Sequence, residues 1–300
     1  MKIDLEIKGA GSALAITLPL HISLPEFLKH AAIAGQGVHN GGRPTIQRAI
    51  GLLLYFHEYI DIQASHFSGF RYPTIKDPTE LAQFSNIVGK AFADLVAKRY
   101  AGAIHTLTYE MAMINSGHSL TGKRPDFYCI TATDAFALEA KGRIGSVSNA
   151  QMTAWKTQAG KGPLKVPRCF ASAAHDLYGP TPGCRFHDPV GQGYERNSER
   201  DQRLVLDFYR SFLGKDRIDE PDAEIGDRAY AVLLTADFQT LQIRFVLDME
   251  ISNAISKGDG ERLVRGVEPF TSTDRRSQYE EDRNFYMDKD GIGVIIELTG

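Results

Sequence analysis

The residue types best suited to chemistry lie between positions 125 and 141. Pro125 and Asp126 are followed, after a mostly apolar stretch, by Glu139, Ala140 and Lys141. Two carboxylates offer the hard oxygen ligands that Mg²⁺ and Mn²⁺ prefer, and such an ion can also take a phosphate oxygen as a ligand. A divalent ion lowers the pKa of a bound water, and a neighbouring ammonium can position that water or offset charge on a phosphate. These residues therefore indicate metal-dependent cleavage of phosphodiester bonds.

Two adjacent strands are needed to bring these side chains together. Alternation of apolar and polar residues predicts a strand over 135–141, with Glu139 and Lys141 on the same face. Aromatic and β-branched residues over 127–131 predict a second strand, which Asp126 directly precedes.

A tight turn decides whether the two strands place these side chains on one face. With residues 133–134 at the centre of the turn, Asp126 pairs with Lys141 and Tyr128 pairs with Glu139. Directly opposed residues point to the same face, so the two carboxylates and the amine converge. A turn one residue longer or shorter would send Asp126 to the far face unless a bulge restored it.

The Pro125-Asp126 pair and the Glu139-Ala140-Lys141 triplet resemble the PD and ExK elements of the PD-(D/E)xK, or restriction-endonuclease-like, nuclease superfamily. The resemblance covers roughly residues 104 to 175. It implies an α/β (mixed) fold with a restriction-endonuclease-like core, in which helices flank a central mixed β-sheet. The implied order is a helix, three antiparallel strands, a helix and a strand, with additions at both ends of the chain.

The same resemblance implies a function. The expected activity is a nuclease, an endonuclease in the first instance, that uses Mg²⁺ or Mn²⁺ to hydrolyse phosphodiester bonds in DNA, in a setting such as restriction or defence against foreign DNA. The alternative is a catalytically inactive protein of the same fold that binds nucleic acid or a partner. An RNA nuclease is a weaker third alternative.

Local patterns agree with part of the implied order. Apolar residues recur at helical spacing from Leu81 to Leu95, with Thr79 as the predicted N-cap. A capping-box pattern at 148–151 begins another helix, which Gly160 ends, and 166–174 is predicted to be the returning strand.

A second helical pattern surrounds Glu110. It runs from Ile104 to Ile114, and the resemblance implies a helical glutamate that reaches the metal or its waters. Little room remains before Asp126 for the first strand. Either that strand is very short, near 119–122, or Glu110 is not the helical glutamate.

Further site residues follow from position and charge. Gln151 could reach the phosphate or the metal waters, although its place in the capping box explains it equally well. Residues 120–170 contain eight basic and three acidic residues, so a polyanion can approach this segment although the whole chain has a formal charge of −3. The predicted catalytic residues are Asp126, Glu139, Lys141, Glu110 and Gln151, of which Asp126, Glu139 and Glu110 are the metal ligands. The predicted nucleic-acid contacts are Lys123, Arg124, Arg143 and Lys156.

Composition limits the remaining alternatives. Three scattered cysteines and the absence of an apolar segment resembling a signal or membrane span predict a cytoplasmic protein without membrane contact. A zinc site built from Cys169, His175, Cys184 and His187 matches no strong ligand spacing.

The expected organisation has three regions. They are an N-terminal strand and helix region (1–75), the nuclease-like core (76–192) and a C-terminal α+β region packed on the core (193–300). The expected partner is nucleic acid, and the resemblance favours DNA; a homodimer or a partner protein is left open.

Overall fold

The computed structural model describes residues 1–9, 14–35, 51–52, 55, 58–63, 66–72, 77–187, 198–213, 221–225, 228–238, 241–267 and 284–298. Both predicted domain boundaries, near 75 and near 192, lie outside these residues. The strands are β1 (Lys2–Lys8), β2 (Ile16–His21), β3 (Ile60–Gln63), β4 (His66–Phe70), β5 (Ala103–Thr108), β6 (Phe127–Thr131), β7 (Ala135–Gly142), β8 (Arg168–His175), β9 (Gly183–His187), β10 (Ala223–Ile225), β11 (Arg228–Phe238), β12 (Leu241–Asp248), β13 (Phe285–Met287) and β14 (Ile292–Leu298). The helices are α1 (Leu24–Ile33), α2 (Pro78–Tyr100), α3 (Tyr109–Asn115), α4 (Asn149–Ala159), α5 (Ser198–Leu213), α6 (Met249–Lys257) and α7 (Gly260–Arg265).

A mixed sheet of seven strands lies at the centre, in the order β2-β1-β9-β8-β7-β6-β5. The pairs β7–β8 and β1–β9 are parallel, and the other pairs are antiparallel. The N-terminal strands therefore extend the same sheet that contains the predicted site. This arrangement confirms a mixed α/β fold.

Helices cover both faces of this sheet. On β8, Ala171 and Ala173 pack with Met152 and Trp155 of α4, whereas Phe170 belongs to the main core. Neighbouring residues of a strand point to opposite faces, so α4 and the main core lie on opposite sides of the sheet. Helix α2 contacts β7 and β8, and α1 lies between α2 and the hairpin β13–β14. That hairpin belongs to a second sheet, in the order β10-β11-β12-β14-β13. No helix among the described residues is long and apolar enough to cross a membrane.

Helix α2 is held very close to the end of β7. Its N-cap is Asp77, whose carboxylate accepts hydrogen bonds from the backbone N–H groups of Thr79 (2.7 Å) and Glu80 (3.1 Å). The predicted cap at Thr79 is therefore wrong by two residues. A Cβ atom placed on Gly142 would lie 1.6 Å from the backbone oxygen of Ser85, so only glycine permits this contact. The contact fixes the strand next to Lys141.

The helix predicted from Ile104 to Ile114 is wrong in its first half. Residues 103–108 form β5, which is buried on both faces and therefore shows no alternation that would reveal a strand. Helix α3 begins only at Tyr109, where the Thr108 side chain accepts a hydrogen bond from the backbone N–H of Met111 at 3.4 Å. No strand forms at 119–122.

Six titratable side chains form a buried cluster that joins α1, α2 and the turn between β13 and β14. Lys29 Nζ donates to Asp290 Oδ2 at 2.7 Å, and Lys98 Nζ donates to Asp288 Oδ2 at 2.9 Å. In the same cluster, His30 Nδ1 lies 2.7 Å from Asp94 Oδ2. Each of the six residues is at most 4 % exposed. The cluster, called the buried charge cluster below, consists of Lys29, His30, Asp94, Lys98, Asp288 and Asp290.

Opposite charges balance within the cluster. Burial acts to raise the pKa of Asp94 and Asp288, but the ammonium groups of Lys29 and Lys98, together with His30, outweigh it and hold both pKa values below the ordinary range. The cluster therefore fastens the C-terminal hairpin to α1 and α2. The turn of this hairpin lies between Met287 and Gly293, which pair with each other.

Lys98→Met is expected to lower the free energy of unfolding by about 3–5 kcal/mol, because it leaves buried carboxylates without a compensating cation. Urea unfolding at pH 7 measures this loss, and Lys257→Met, at an exposed site on α6, is the matched control with an expected change below about 0.5 kcal/mol. Since the carboxyl pKa values are depressed in the folded state, the cluster stabilises the wild type fully above about pH 4 and less as the pH falls further. Equal losses in the two variants would contradict this role.

Candidate metal centre

The pairing of β6 with β7 places Asp126. Phe127 lies opposite Leu138 and Tyr128 lies opposite Ala137, so the predicted pairing of Tyr128 with Glu139 is wrong by two residues. Continuing the observed register by one residue sets Asp126 opposite Glu139.

The turn explains this difference. The backbone N–H of Thr131 donates to the backbone oxygen of Asp134 at 2.9 Å, so residues 132–133 lie at its centre in place of 133–134. The Thr131 hydroxyl also bonds the Asp134 carboxylate at 2.6 Å. A shift of two residues leaves every side chain on the face predicted for it, because strands alternate with a period of two.

The structure brings Asp126, Glu139 and Lys141 together. Lys141 Nζ donates a hydrogen bond to Glu139 Oε1 and lies 3.6 Å from Asp126 Oδ2. Asp126 Oδ2 also accepts a hydrogen bond from the backbone N–H of Ala140 at 2.9 Å, which orients this carboxylate. About a quarter of the Asp126 and Lys141 side chains is exposed, so the group opens to solvent on one side.

Glu139 lies at the buried end of this group. Its side chain is 1 % exposed, and its Oε1 also accepts a hydrogen bond from Gln158 Nε2 at 2.7 Å. Its Oε2 is buried and has no hydrogen-bond partner among the described residues. A buried carboxylate oxygen without a partner is costly, and a metal ion is one group that would satisfy it. Asp126, with its exposed portion, is placed to hold the same ion.

The surroundings of Glu139 also change its pKa. Burial and the nearby Asp126 carboxylate raise the pKa of Glu139 to about 7, although Lys141 acts in the opposite direction. A bound divalent cation would favour the ionised carboxylate and remove this penalty. The two carboxylates, with the unsatisfied oxygen of Glu139, could therefore hold a divalent cation.

Gln158 is a site residue that the sequence analysis missed. Gln151 is instead engaged at the start of α4, where its Oε1 accepts a hydrogen bond from the backbone N–H of Ser148 at 2.8 Å. The predicted capping box and the predicted end at Gly160 are both confirmed, and Met152 and Trp155 are buried. Position 158 lies seven residues after Gln151, two helical turns along the same face, and that spacing was the available signal.

Glu110 also lies apart from the three converging residues. It is half exposed, and its Oε1 accepts a hydrogen bond from Arg124 Nε at 3.0 Å. Arg124 donates further hydrogen bonds to the backbone oxygens of Leu120 (3.2 Å) and Gly122 (3.3 Å). This ion pair connects α3 with the loop that precedes Asp126. Glu110 lies between β5 and β6, and not on the helix before β5. It makes no contact with Glu139.

The other predicted nucleic-acid contacts lie on the surface around the centre. Lys123 is exposed in the loop before Asp126, and Lys156 is half-buried on α4. The guanidinium of Arg143 lies 5.4 Å from the centre of the Trp155 ring, at cation–π distance. Their contact with nucleic acid stays a prediction.

Two further groups could be considered as metal sites. The four residues of the zinc alternative do not converge: His175 bonds Asp176, and His187 lies 3.4 Å from Glu6. In contrast, His30, Asp94 and Asp288 have potential ligand atoms within 4.8 Å of one another and could hold a metal ion.

The lysines of the buried charge cluster already supply cations there. Both Lys29 and Lys98 donate to Asp288, so a metal ion at that position would have to displace an ammonium group or add to its charge. Glu139 carries the unsatisfied oxygen, which makes Asp126 and Glu139 the better candidates.

Comparison of the chain with protein-family models, with curated proteins and with solved structures gives no match. The residues and geometry of the site are therefore the basis for inferring its function.

Glu139→Gln is expected to become more stable relative to the wild type as the pH rises. The folded-state pKa of Glu139, about 7, exceeds its ordinary value of 4.5, so this group supports the fold fully below pH 4.5 and loses that contribution as the pH passes 7. The difference amounts to at most about 3 kcal/mol. Urea unfolding in EDTA from pH 5 to 8 measures it, with half-exposed Glu110→Gln as the control. Parallel pH curves for Glu139→Gln and wild type would contradict the shift.

Proposed function

We propose that this protein is a divalent-metal-dependent nuclease of the PD-(D/E)xK type that hydrolyses phosphodiester bonds in DNA. One observation carries the proposal: Asp126 and Lys141 converge on Glu139, whose buried Oε2 has no protein partner within the described residues. Hard oxygen ligands beside an amine, open to solvent on one side, suit the hydrolysis of a charged phosphodiester.

The order of the elements supports the proposal. Helix α2 precedes the antiparallel strands β5, β6 and β7, and after them come α4 and then β8, which is parallel to β7. This is the order that the resemblance implies. The short helix α3, between β5 and β6, is an addition to it.

Each side chain has a role in the proposed reaction. Asp126 and Glu139 would hold Mg²⁺ or Mn²⁺, and such an ion, when bound, supplies charge stabilisation and a water of lowered pKa. Lys141 offers its ammonium group to the phosphate or the attacking water. Gln158 holds Glu139 through Oε1, so Oε2 would be available as a ligand for such an ion.

The alternative is a non-catalytic protein of the same fold that binds nucleic acid or a partner. One observation favours it: Glu110 and Gln151 are engaged elsewhere, which leaves two carboxylates at the centre. Cleavage separates the two functions, because a binding protein has no metal-dependent activity to lose.

Purified protein is expected to cut plasmid or linear DNA with Mg²⁺ or Mn²⁺ and not with EDTA. Asp126→Asn and Lys141→Ala should each lower the cleavage rate about 100-fold or more, because they remove a metal ligand and the amine. Glu110→Gln is the control of matched type, and its rate should stay within about threefold of the wild type. Absence of cleavage with every metal, in folded protein, would favour the binding function.

Gln158→Leu is expected to weaken Mn²⁺ binding about 10-fold or more, because outer partners of metal ligands contribute on this scale. Calorimetric titration at pH 8 measures the affinity. Gln151→Ala is the control on the same helix, since its side chain caps α4 and does not touch Glu139. Equal affinities in the two variants would contradict the role of Gln158.

A further inference from the structure

A groove is lined in part by two loops that adjoin residues of the candidate centre in sequence. It consists of two adjoining concavities, of about 550 and 430 Å³, that share His118 and Pro163. The first runs between the loop before Asp126 and the loop after α4. The second continues from there to the beginning of α5.

Positive charge is concentrated in this groove. Its lining contains five basic side chains and one carboxylate, that of Glu199, although the whole chain has a net charge of −3. The basic groove, as it is called below, is lined by Lys123, Lys161, Lys165, Arg200 and Arg203.

The lysines are the more available of these cations. Lys123, Lys161 and Lys165 are exposed and form no ion pair with any described carboxylate. In contrast, Arg200 lies 3.5 Å from the buried Asp201. Three exposed lysines that pair with no described carboxylate can attract an anion with little loss of existing contacts.

Both walls of the groove lead to the proposed centre. Lys123 lies three residues before Asp126, and Lys161 lies three residues after Gln158. Three residues span at most about 10 Å of chain. The backbone of Lys123 therefore lies within that distance of Asp126, and the backbone of Lys161 lies within it of Gln158, which contacts Glu139.

We propose that the basic groove binds the sugar–phosphate backbone of DNA and guides the strand to Asp126 and Glu139. This inference rests on the proposed nuclease function and extends it. DNA presents phosphate charges at regular intervals, which successive cations in a groove can neutralise. The hydroxyls of Ser119 and Thr121, 3.0 Å apart on one wall, are typical phosphate contacts. Protein interfaces, in contrast, centre on large apolar and aromatic anchors, and the described lining has only Leu164 of that kind.

The test compares two double variants that remove equal charge. Lys161→Gln/Lys165→Gln changes the groove, and Lys2→Gln/Lys257→Gln changes exposed lysines of β1 and α6. Binding of a fluorescent 20-base-pair DNA duplex is measured by anisotropy in EDTA over a range of salt concentrations, with single-stranded DNA, duplex RNA and an acidic peptide as further probes.

The groove variant is expected to bind duplex DNA about 10-fold or more weakly at 100 mM salt. Its slope of log affinity against log salt should be lower by about 2, because two phosphate contacts are lost. The control should stay within about twofold of the wild type, and circular dichroism confirms that both variants fold.

Three results would overturn the inference. They are unchanged DNA affinity in the folded groove variant, an equal loss in the control, or preferential binding of RNA or the acidic peptide through the same lysines. Metal-dependent cleavage by the wild type with unchanged binding in the groove variant would remove the groove and leave the nuclease function. If the groove variant binds DNA more weakly but the wild type shows no cleavage with any metal, the DNA-binding role of the groove would stand and the nuclease function would be refuted.

Discussion

The antiparallel pairing of β6 with β7 is the constraint on which the rest of the site depends. It sets Asp126 against Glu139 and leaves Lys141 on the same face, and a shift of one residue would separate them. The bonds of Thr131 with Asp134 fix the turn, and the approach of α2 to Gly142 fixes the far end of β7. Local turn chemistry and long-range packing therefore act together on one register.

The fold holds the carboxylate of Glu139 in surroundings that disfavour its ionised form. Glu139 is buried beside a second carboxylate, and Lys141 and Gln158 satisfy only one of its oxygens. The buried charge cluster behaves differently, because its lysines already stand against its carboxylates. One group of buried charges is nearly balanced and fastens the C-terminal hairpin, whereas the other leaves one carboxylate oxygen of Glu139 without a partner among the described residues. From this contrast we infer a structural role for the first group and propose a functional one for the second.

Short-range patterns in the sequence were sufficient for part of this picture. Alternation in β7, the aromatic and β-branched residues of β6 and the capping box of α4 predicted elements that the structure confirms. Strand β5 was not predicted, because it is buried on both faces and its sequence shows no alternation of apolar and polar residues. It also continues directly into a helix, so the apolar residues of strand and helix together fit a helical spacing.

Contacts between distant segments could not be predicted. The buried charge cluster joins positions near 30, 96 and 289, and only the spacing of Asp94 and Lys98 gave a local sign of it. The contact of Gln158 with Glu139 depends on how α4 lies across the sheet, which the helical pattern alone does not fix. The residues of the site were therefore easier to recognise than the partners that orient them.

A crystal structure of the protein with Mn²⁺ tests the central claim most directly. Anomalous scattering locates the ion without reference to activity. The account predicts a peak between Asp126 and Glu139, at about 2 Å from Glu139 Oε2, with the peak lost in Glu139→Gln. An empty Asp126–Glu139 site in crystals grown at saturating Mn²⁺, or an ion bound only at His30, Asp94 and Asp288, would contradict it.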